Sequence, residues 1–376
     1  MSTNENKGKK AEVTALQAIS AEDRKDWISL AFVQAGICVC VPAFLLGALL
    51  AEAMPIWPAI ISGSLGYLIV VVGMVATGMI GCDLGLASCT CCQAGFGKSG
   101  ARFIVSTIFA VNMIGWFGIQ NGVCGEAFSN AMLAMTGWDI PVVVSNTIWG
   151  IIMLLTAVYG VHALEKLDKI SIPLLMIIMC YGTFLAFKVY GTGNLNDEGT
   201  VQSMSFMSGV ALSFNFTAVG TITGPDYTRF QKSRKDTVKS VFYGVFPMGV
   251  ITLIMGIVLT KLSGQYDISM VLIEVGLPLL GIIALVISTW TTNSTNAYSA
   301  GLNIVMALKL KDNRRREATL ISGIVGIVLC DLGILGHVEG VLSLLSYVVC
   351  PVGGVILADY WVVGKGKAKN LSLIHI

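Results

Sequence analysis

About 20 predominantly apolar residues in succession suffice to cross a bilayer as a helix, and this chain repeats such a run along its whole length. The runs cover residues 28–51, 55–81, 103–132, 141–163, 170–190, 205–225, 240–262, 273–307, 317–336 and 339–362. In hydrocarbon every backbone N–H and C=O must be satisfied within the segment, so each run is expected to be helical. Hydrophobic residues make up 55% of the chain and charged ones 12%, and the mean hydropathy of +0.78 lies far from that of soluble domains. The first run is too long, and has too many successors, to be a cleaved signal peptide. The fold class expected is an all-α polytopic membrane protein with ten transmembrane helices.

The basic residues orient it. With a cytoplasmic N-terminus, the inner segments carry Lys7, Lys9, Lys10, Arg24 and Lys25, then Lys98 and Arg102, then Lys166 and Lys169. Arg229, Lys232, Arg234, Lys235 and Lys239 follow, then Lys309, Lys311, Arg314, Arg315 and Arg316, and finally Lys365, Lys367 and Lys369. Only Lys188 and Lys261 of the 24 basic residues fall outside. Removing or adding one run would scramble this split, so it supports both the orientation and the number ten. The net charge of +2 conceals the asymmetry and gives no sign of a nucleic-acid partner.

Enzyme chemistry finds little support. Cys38, Cys40, Cys124, Cys180, Cys330 and Cys350 lie within apolar runs, where free cysteine behaves as a small hydrophobe. Cys89, Cys91 and Cys92 form a tighter group, but no histidine or second cysteine pair completes a zinc pattern. His162 and His337 stand singly beside loops, and Gly95–Gly100 is too short for a phosphate-cradling loop.

Polar residues within the runs carry the functional reading. Ser288, Thr291, Thr292 and Thr295 fall at i, i+3, i+4 and i+7 in the eighth run and share one helical face. Such a face offers a hard cation neutral oxygens; hydrogen-bonding glue between membrane helices is the other reading. The first run is interrupted by Gly36 and Pro42, and the sixth by Gly220-Thr221-Ile222-Thr223-Gly224-Pro225. If the ten runs form two sets of five, these are the first member of each set. Interruptions at corresponding positions are the sequence pointer to an inverted-repeat transporter with unwound, ligand-binding backbone at mid-membrane. In the third run Asn112, Trp116 and Gln120 are spaced i, i+4, i+8. They form a stripe of two carboxamides around an indole, suited to stacking and hydrogen-bonding a flat heterocycle or to packing in a helix bundle.

Four motifs, in order, carry a resemblance: Gly115-Trp116-Phe117-Gly118; Gly220-Thr221-Ile222-Thr223 with Asp226-Tyr227-Thr228-Arg229-Phe230; Trp290-Thr291-Thr292-Asn293; and Pro351-Val352-Gly353-Gly354-Val355-Ile356-Leu357-Ala358-Asp359-Tyr360. From about residue 28 to 365 the chain resembles the nucleobase:cation symporter-1 family, in its cytosine-permease and purine-cytosine-permease branch. The resemblance implies a leucine-transporter-like fold of two inverted five-helix repeats plus two peripheral helices, with uptake of a heterocycle driven by sodium or protons. It implies a cation site in which Thr291 and Thr292 give hydroxyls and Gly36, Val39 and Ser288 give backbone carbonyls. It places Trp116 as the stacking floor, Phe216 as the aromatic of the sixth helix, and Gln120 as the amide one turn beyond the tryptophan in hydantoin-transporting relatives. Three positions depart from cytosine permeases: Met113 replaces a glutamine, Asn215 a serine and Ser288 an asparagine. These three, with Asn112 and with Asn293 of the eighth-run motif, complete the expected solute contacts. The departures leave purines, hydantoins, ureides and other pyrimidines open beside cytosine.

The expected organisation is a cytoplasmic tail at 1–27, repeats at 28–190 and 205–362, and a basic tail at 363–370. The hexapeptide 371–376, Leu-Ser-Leu-Ile-His-Ile, matches the translation of a sequencing-adapter end and is expected to be an artefact that replaces the last two of twelve helices. The expected mechanism is alternating access: sodium binds first and holds the first helix against the eighth, then the solute stacks on Trp116 and one bundle rocks against the other. No carboxylate stands beside the eighth-run cluster, which favours sodium over protons, with Glu126, Glu274 and Asp331 as the acids a proton would use. The expected partners are a nucleobase-like solute and the lipid bilayer, with no nucleic acid and no obligate protein, and the expected location is the plasma membrane. The competing readings are an amino-acid or amine transporter of the same fold and a non-transporting solute sensor.

Overall fold

The computed structural model describes residues 18–159, 161–196, 204–265, 268–311 and 314–368. Residues 1–17 of the expected tail, the hexapeptide 371–376 and the side chains of His162, Lys166 and Lys169 lie outside the described residues. Among the described residues every regular element is a helix, with no sheet.

The first run holds α1 (Trp27–Cys38) and α2 (Val41–Ala53), followed by α3 (Ile56–Leu84) and the short α4 (Ser88–Cys91) and α5 (Gln93–Gly100). Then come α6 (Ser106–Thr136), α7 (Val142–Tyr159), α8 (Val161–Tyr190), α9 (Phe206–Thr217) and α10 (Gly220–Thr228). The chain continues through α11 (Arg234–Ser263), α12 (Ile268–Glu274), α13 (Pro278–Ala307), α14 (Arg315–Asp331) and α15 (Val338–Leu357). Six segments are long and apolar enough to cross a membrane alone, and the α1–α2 pair, bent by 53°, makes a seventh. The other three expected runs coincide with α7, α13 and α14. α13 is less apolar because its centre is polar, and that centre is turned inward: Ser288, Thr289, Thr291, Thr292, Asn293 and Ser294 are all buried. By contrast Ile61, Leu65, Ile69 and Val72 of α3 face outward, as a lipid-exposed wall requires.

Two sets of helices pack internally far more than against each other. One comprises α1, α2, α3, α9, α10 and α11; the other comprises α6, α7, α13 and α14. Each takes corresponding members from both halves of the chain, as two inverted repeats require. Lipid tails give no hydrophobic drive between membrane helices, so the first set is held by close backbone approach and hydroxyl bonds. A Cβ on Gly66 would sit 2.5 Å from Cβ of Ser213, and one on Gly81 2.5 Å from Cα of Pro225. Beside them the Ser213 hydroxyl donates to the Gly63 carbonyl at 2.6 Å, and the Thr228 hydroxyl to Gly78 at 2.7 Å. α2 and α11 meet the same way: a Cβ on Gly47 would lie 2.6 Å from the Leu253 carbonyl oxygen, and one on Gly256 2.6 Å from that of Phe44.

The end of the bundle where α1 and α11 begin is tied shut. Arg24 donates to the Gln231 carbonyl at 3.0 Å, and the Lys25 backbone N–H donates to Phe230 at 2.7 Å. The Arg234 guanidinium pairs with Asp83 at 2.6 Å and also donates to the Gly366 carbonyl at 2.6 Å. That last contact draws the end of α15's extension onto α3 and α11.

Candidate functional site

The break between α1 and α2 comes from two residues that leave helical space. Val39 has ψ of 72°, and Cys40 is fully extended at φ −138°, ψ 157°. Pro42 lies in the first turn of α2, where its missing N–H costs nothing. The last α1 bond runs from the Val39 N–H to the Ala35 carbonyl, 2.9 Å, so the carbonyl of Gly36 has lost its helical donor. The Thr292 hydroxyl takes that place, 3.1 Å from the Gly36 oxygen and 3.2 Å from the Ser288 carbonyl. Thr291 donates to the same Ser288 carbonyl at 3.2 Å. Two hydroxyls and two carbonyls, from α1 and α13, thus converge in a buried spot between the two helix sets. A cleft of about 10 Å³ beside them is lined by Val39 and Ser288, room for roughly one water-sized occupant. Neutral oxygens brought together in this way are the kind of donor a hard cation takes.

Next to these oxygens lies a cavity of about 100 Å³, walled by both helix sets. Trp116 of α6 and Phe216 of α9 meet in it with ring centroids 5.4 Å apart and planes at 74°. Rings at this angle form a corner: a flat solute laid on one presents its edge to the other. Gln120, Met113 and Thr292 line the same cavity, as do Gln34, Tyr67, Asp226 and Asn296. Thr292 therefore belongs to both the oxygen cluster and the solute-sized cavity.

A family model described as permease for cytosine/purines, uracil, thiamine, allantoin matches residues 19–375. The chain belongs to this permease family. It is 30% identical to the cytosine permease of Escherichia coli (strain K12), across 90% of this chain and 78% of that one. It is 25% identical to the purine-uracil permease of Arabidopsis thaliana, across 91% of this chain and 62% of that one. A solved nucleobase-cation-symport-1 family transporter, in a closed conformation with bromovinylhydantoin bound, superposes with a TM-score of 0.82 at 18% identity, covering 95% of this chain and 83% of that one. The permease is thus a membrane transporter with the leucine-transporter-like arrangement of two inverted five-helix repeats, and not an enzyme.

The expected solute contacts divide. Trp116, Gln120, Met113 and Phe216 come together in the cavity. Asn112 does not: the stripe facing inward is Met113, Trp116 and Gln120, at i, i+3 and i+7, and Asn112 is one position round the helix from it, buried elsewhere. Asn215 turns toward α15, its side-chain amide donating to the Ser343 hydroxyl at 3.4 Å while its backbone carbonyl accepts from Ser346 at 3.1 Å. Asn293 is fully buried on the far face of α13, where it donates to the Phe117 carbonyl at 3.2 Å. Asn296, which lines the cavity, has its amide 3.5 Å from the Asn293 oxygen. Ser288 lines the small cleft beside Val39 instead of the aromatic cavity, so its place is with the oxygen cluster.

The polar centre of α13 therefore divides between two neighbours. Ser288, Thr291 and Thr292 face the α1 break. Trp290 donates to the Thr156 hydroxyl at 2.9 Å and Ser294 to the Met153 carbonyl at 3.0 Å, gluing α13 to α7. The second expected interruption is shallower than the first. Ala218 and Val219, at φ/ψ −54/−35° and −57/−30°, stay in the helical region, and Gly220–Thr228 is helix, not unwound backbone.

Of the acids considered for proton coupling, none lines the aromatic cavity. Glu126 faces a wider vestibule of about 380 Å³ beside α2 and the start of α15, Glu274 accepts from the Tyr190 hydroxyl, and Asp331 accepts from Asn146 at 3.2 Å. Asp226, a residue of the sixth-run motif, does line it, with one carboxylate oxygen 2.7 Å from the Ser88 backbone N–H. Burial pushes the nearby Cys89 thiol up to about 12, away from the thiolate a reactive cysteine needs.

Proposed function

We propose that this permease is a sodium-coupled symporter that imports a nucleobase or related flat heterocycle across the plasma membrane by alternating access, with its N-terminus in the cytoplasm. The observation that carries this reading is the position of Thr292. Its hydroxyl joins the oxygens freed at the α1 break, and its side chain walls the cavity that holds Trp116 and Phe216. An ion held there ties α1 to α13, one member of each helix set, and so favours one arrangement of the two sets over the other. Such differential stabilisation is what coupling requires. Gly36, Val39, Ser288, Thr291 and Thr292 would hold the cation. Trp116 and Phe216 would hold the solute plane, and Gln120 would exchange hydrogen bonds with its edge.

The relatives support a heterocycle as solute, since their names cover cytosine, purines and uracil. The 380 Å³ vestibule at the α2 end and the tied Arg24 and Arg234 contacts at the other would suit a state open on one side. With the N-terminus inside, that open side is the exterior. Asp226 favours one second reading, proton coupling, because a carboxylate shares the cavity.

Thermal stability of the purified permease, measured against cytosine, uracil, hypoxanthine, hydantoin and allantoin in sodium and in choline, tests the proposal, since a ligand stabilises the state it binds by mass action. A shift with one heterocycle, larger in sodium, is expected. A shift indifferent to sodium but lost in Asp226→Asn moves the coupling to protons, and no shift with any of the five refutes the heterocycle reading.

A further inference from the structure

Gln34 is a single carboxamide within the apolar first run, fully buried in α1, where membrane surroundings make such a group costly. Its amide nitrogen lies 3.4 Å from the Ser240 oxygen of α11. The Ser240 hydroxyl itself donates to the Thr237 carbonyl at 3.1 Å. That commits its one proton, so toward Gln34 it can only accept, and this fixes which way the carboxamide points. The NH₂ faces Ser240 and the carbonyl oxygen faces the other way. That oxygen is buried and finds no donor among the described residues, while Gln34 lines the same cavity as Trp116 and Phe216. One turn along the same face of α1, Cys38 packs in one cluster with both rings. A pairing made only to join α1 to α11 would account for the nitrogen and leave the oxygen's position unexplained.

We propose that Gln34 is a solute-selecting residue whose carbonyl oxygen accepts an N–H from the heterocycle. It rests on the heterocycle reading above and sharpens it. The permease is selective for solutes that carry an N–H donor on the edge directed toward the inner half of α1, and it rejects those with an N-alkyl group or an acceptor there. A buried acceptor left unpaired penalises the wrong solute more than a paired one rewards the right one.

The test uses the full chain in sodium and titrates whichever of the five heterocycles binds best, together with its mono-N-methyl isomers, against wild type, Gln34→Leu and Ser240→Ala. Gln34→Leu is expected to weaken the parent heterocycle about tenfold or more. One N-methyl isomer should be weakened to the same extent on wild type, with no further loss on Gln34→Leu, and Ser240→Ala should leave the parent within about twofold, in line with loss of one long, neutral hydrogen bond. Gln34→Met, of similar length and without the amide, takes over if Gln34→Leu does not fold. Unchanged affinity in the Gln34 variant overturns the proposal. So does an equal loss in Ser240→Ala, which would make Gln34 a structural link, and so do N-methyl and Gln34 effects that simply add. A wild-type chain that binds none of the five refutes the heterocycle reading and this one with it; a wild type that binds while Gln34→Leu binds equally well refutes only the role of Gln34.

Discussion

The two interrupted helices, α1–α2 and α9–α10, occupy equivalent places in the two repeats, and their sequences promise the same thing. Both contain glycine and proline, yet only one opens. Between α1 and α2 the backbone becomes extended at Cys40 and the axis turns by 53°. Between α9 and α10 the dihedrals remain helical through Ala218 and Val219. The difference lies in what becomes of the carbonyl that each irregularity frees. Pro225 cannot donate to Thr221, four residues back, but the Thr77 hydroxyl of α3 bonds that Thr221 oxygen at 2.7 Å. With its acceptor satisfied from the next helix, α10 continues through the proline. At the first break the freed Gly36 oxygen meets a threonine hydroxyl from the opposite helix set. One irregularity is absorbed into packing within a set, and the other is shared between sets, where it can respond to a ligand. Topological symmetry between repeats therefore does not carry over to the chemistry of their breaks.

The largest effect expected from this contrast is at the first break. Thr292→Val keeps the side-chain shape but removes the hydroxyl between the Gly36 and Ser288 carbonyls. It should abolish the stimulation of heterocycle binding by sodium, a loss of about tenfold or more, while leaving the folded permease intact. The check is the same stability measurement in sodium and in choline. A normal sodium response in Thr292→Val would remove the oxygen cluster from the mechanism.

Less is expected at the second break, and on a different observable. Thr77→Val strips the Thr221 carbonyl of its partner in a buried place, which should cost roughly 1–3 kcal/mol of stability and lower the melting temperature without touching the sodium response. If Thr77→Val instead altered sodium dependence, the two breaks would be functionally alike and the contrast would fail.

How much of this could be read from the chain follows from what each signal means physically. Apolar runs are legible because lipid leaves a segment no alternative to helix, so the ten helices and their pairing into repeats follow from the sequence. The threonine face of α13 was legible by helical arithmetic, since residues at i, i+3 and i+4 must point together. The amides were not. An asparagine satisfies a neighbouring carbonyl as readily as a solute, and Asn112, Asn215 and Asn293 each lie one helical position from a residue that does point at the aromatic cavity or the oxygen cluster. The depth of the second break was hidden because Thr77 is 144 residues from Thr221 in sequence. Gln34 did leave a signal, a lone carboxamide in an otherwise apolar run, and so did Asp226, an acid at the end of the sixth run. Neither identified its neighbours until the helices were packed.

The smallest effect is also the sharpest test of why α10 stays closed. Pro225→Ala restores an N–H four residues after Thr221, aimed at the carbonyl that Thr77 already serves. Because that oxygen has a second lone pair, the new bond adds little, and the close approach to Gly81 is made by the Cα and Cβ that alanine keeps. In the wild-type background the substitution should therefore leave stability within roughly 1 kcal/mol. In a Thr77→Val background the same substitution should recover much of the lost stability, because the restored N–H now covers an otherwise unpaired carbonyl. The two substitutions should therefore be non-additive, with the double variant more stable than the sum of the single losses predicts. Melting temperatures of the four proteins in the cycle decide it. Strict additivity would mean that the Thr221 oxygen is not what the threonine and the proline share, and the closure of α10 would need another cause.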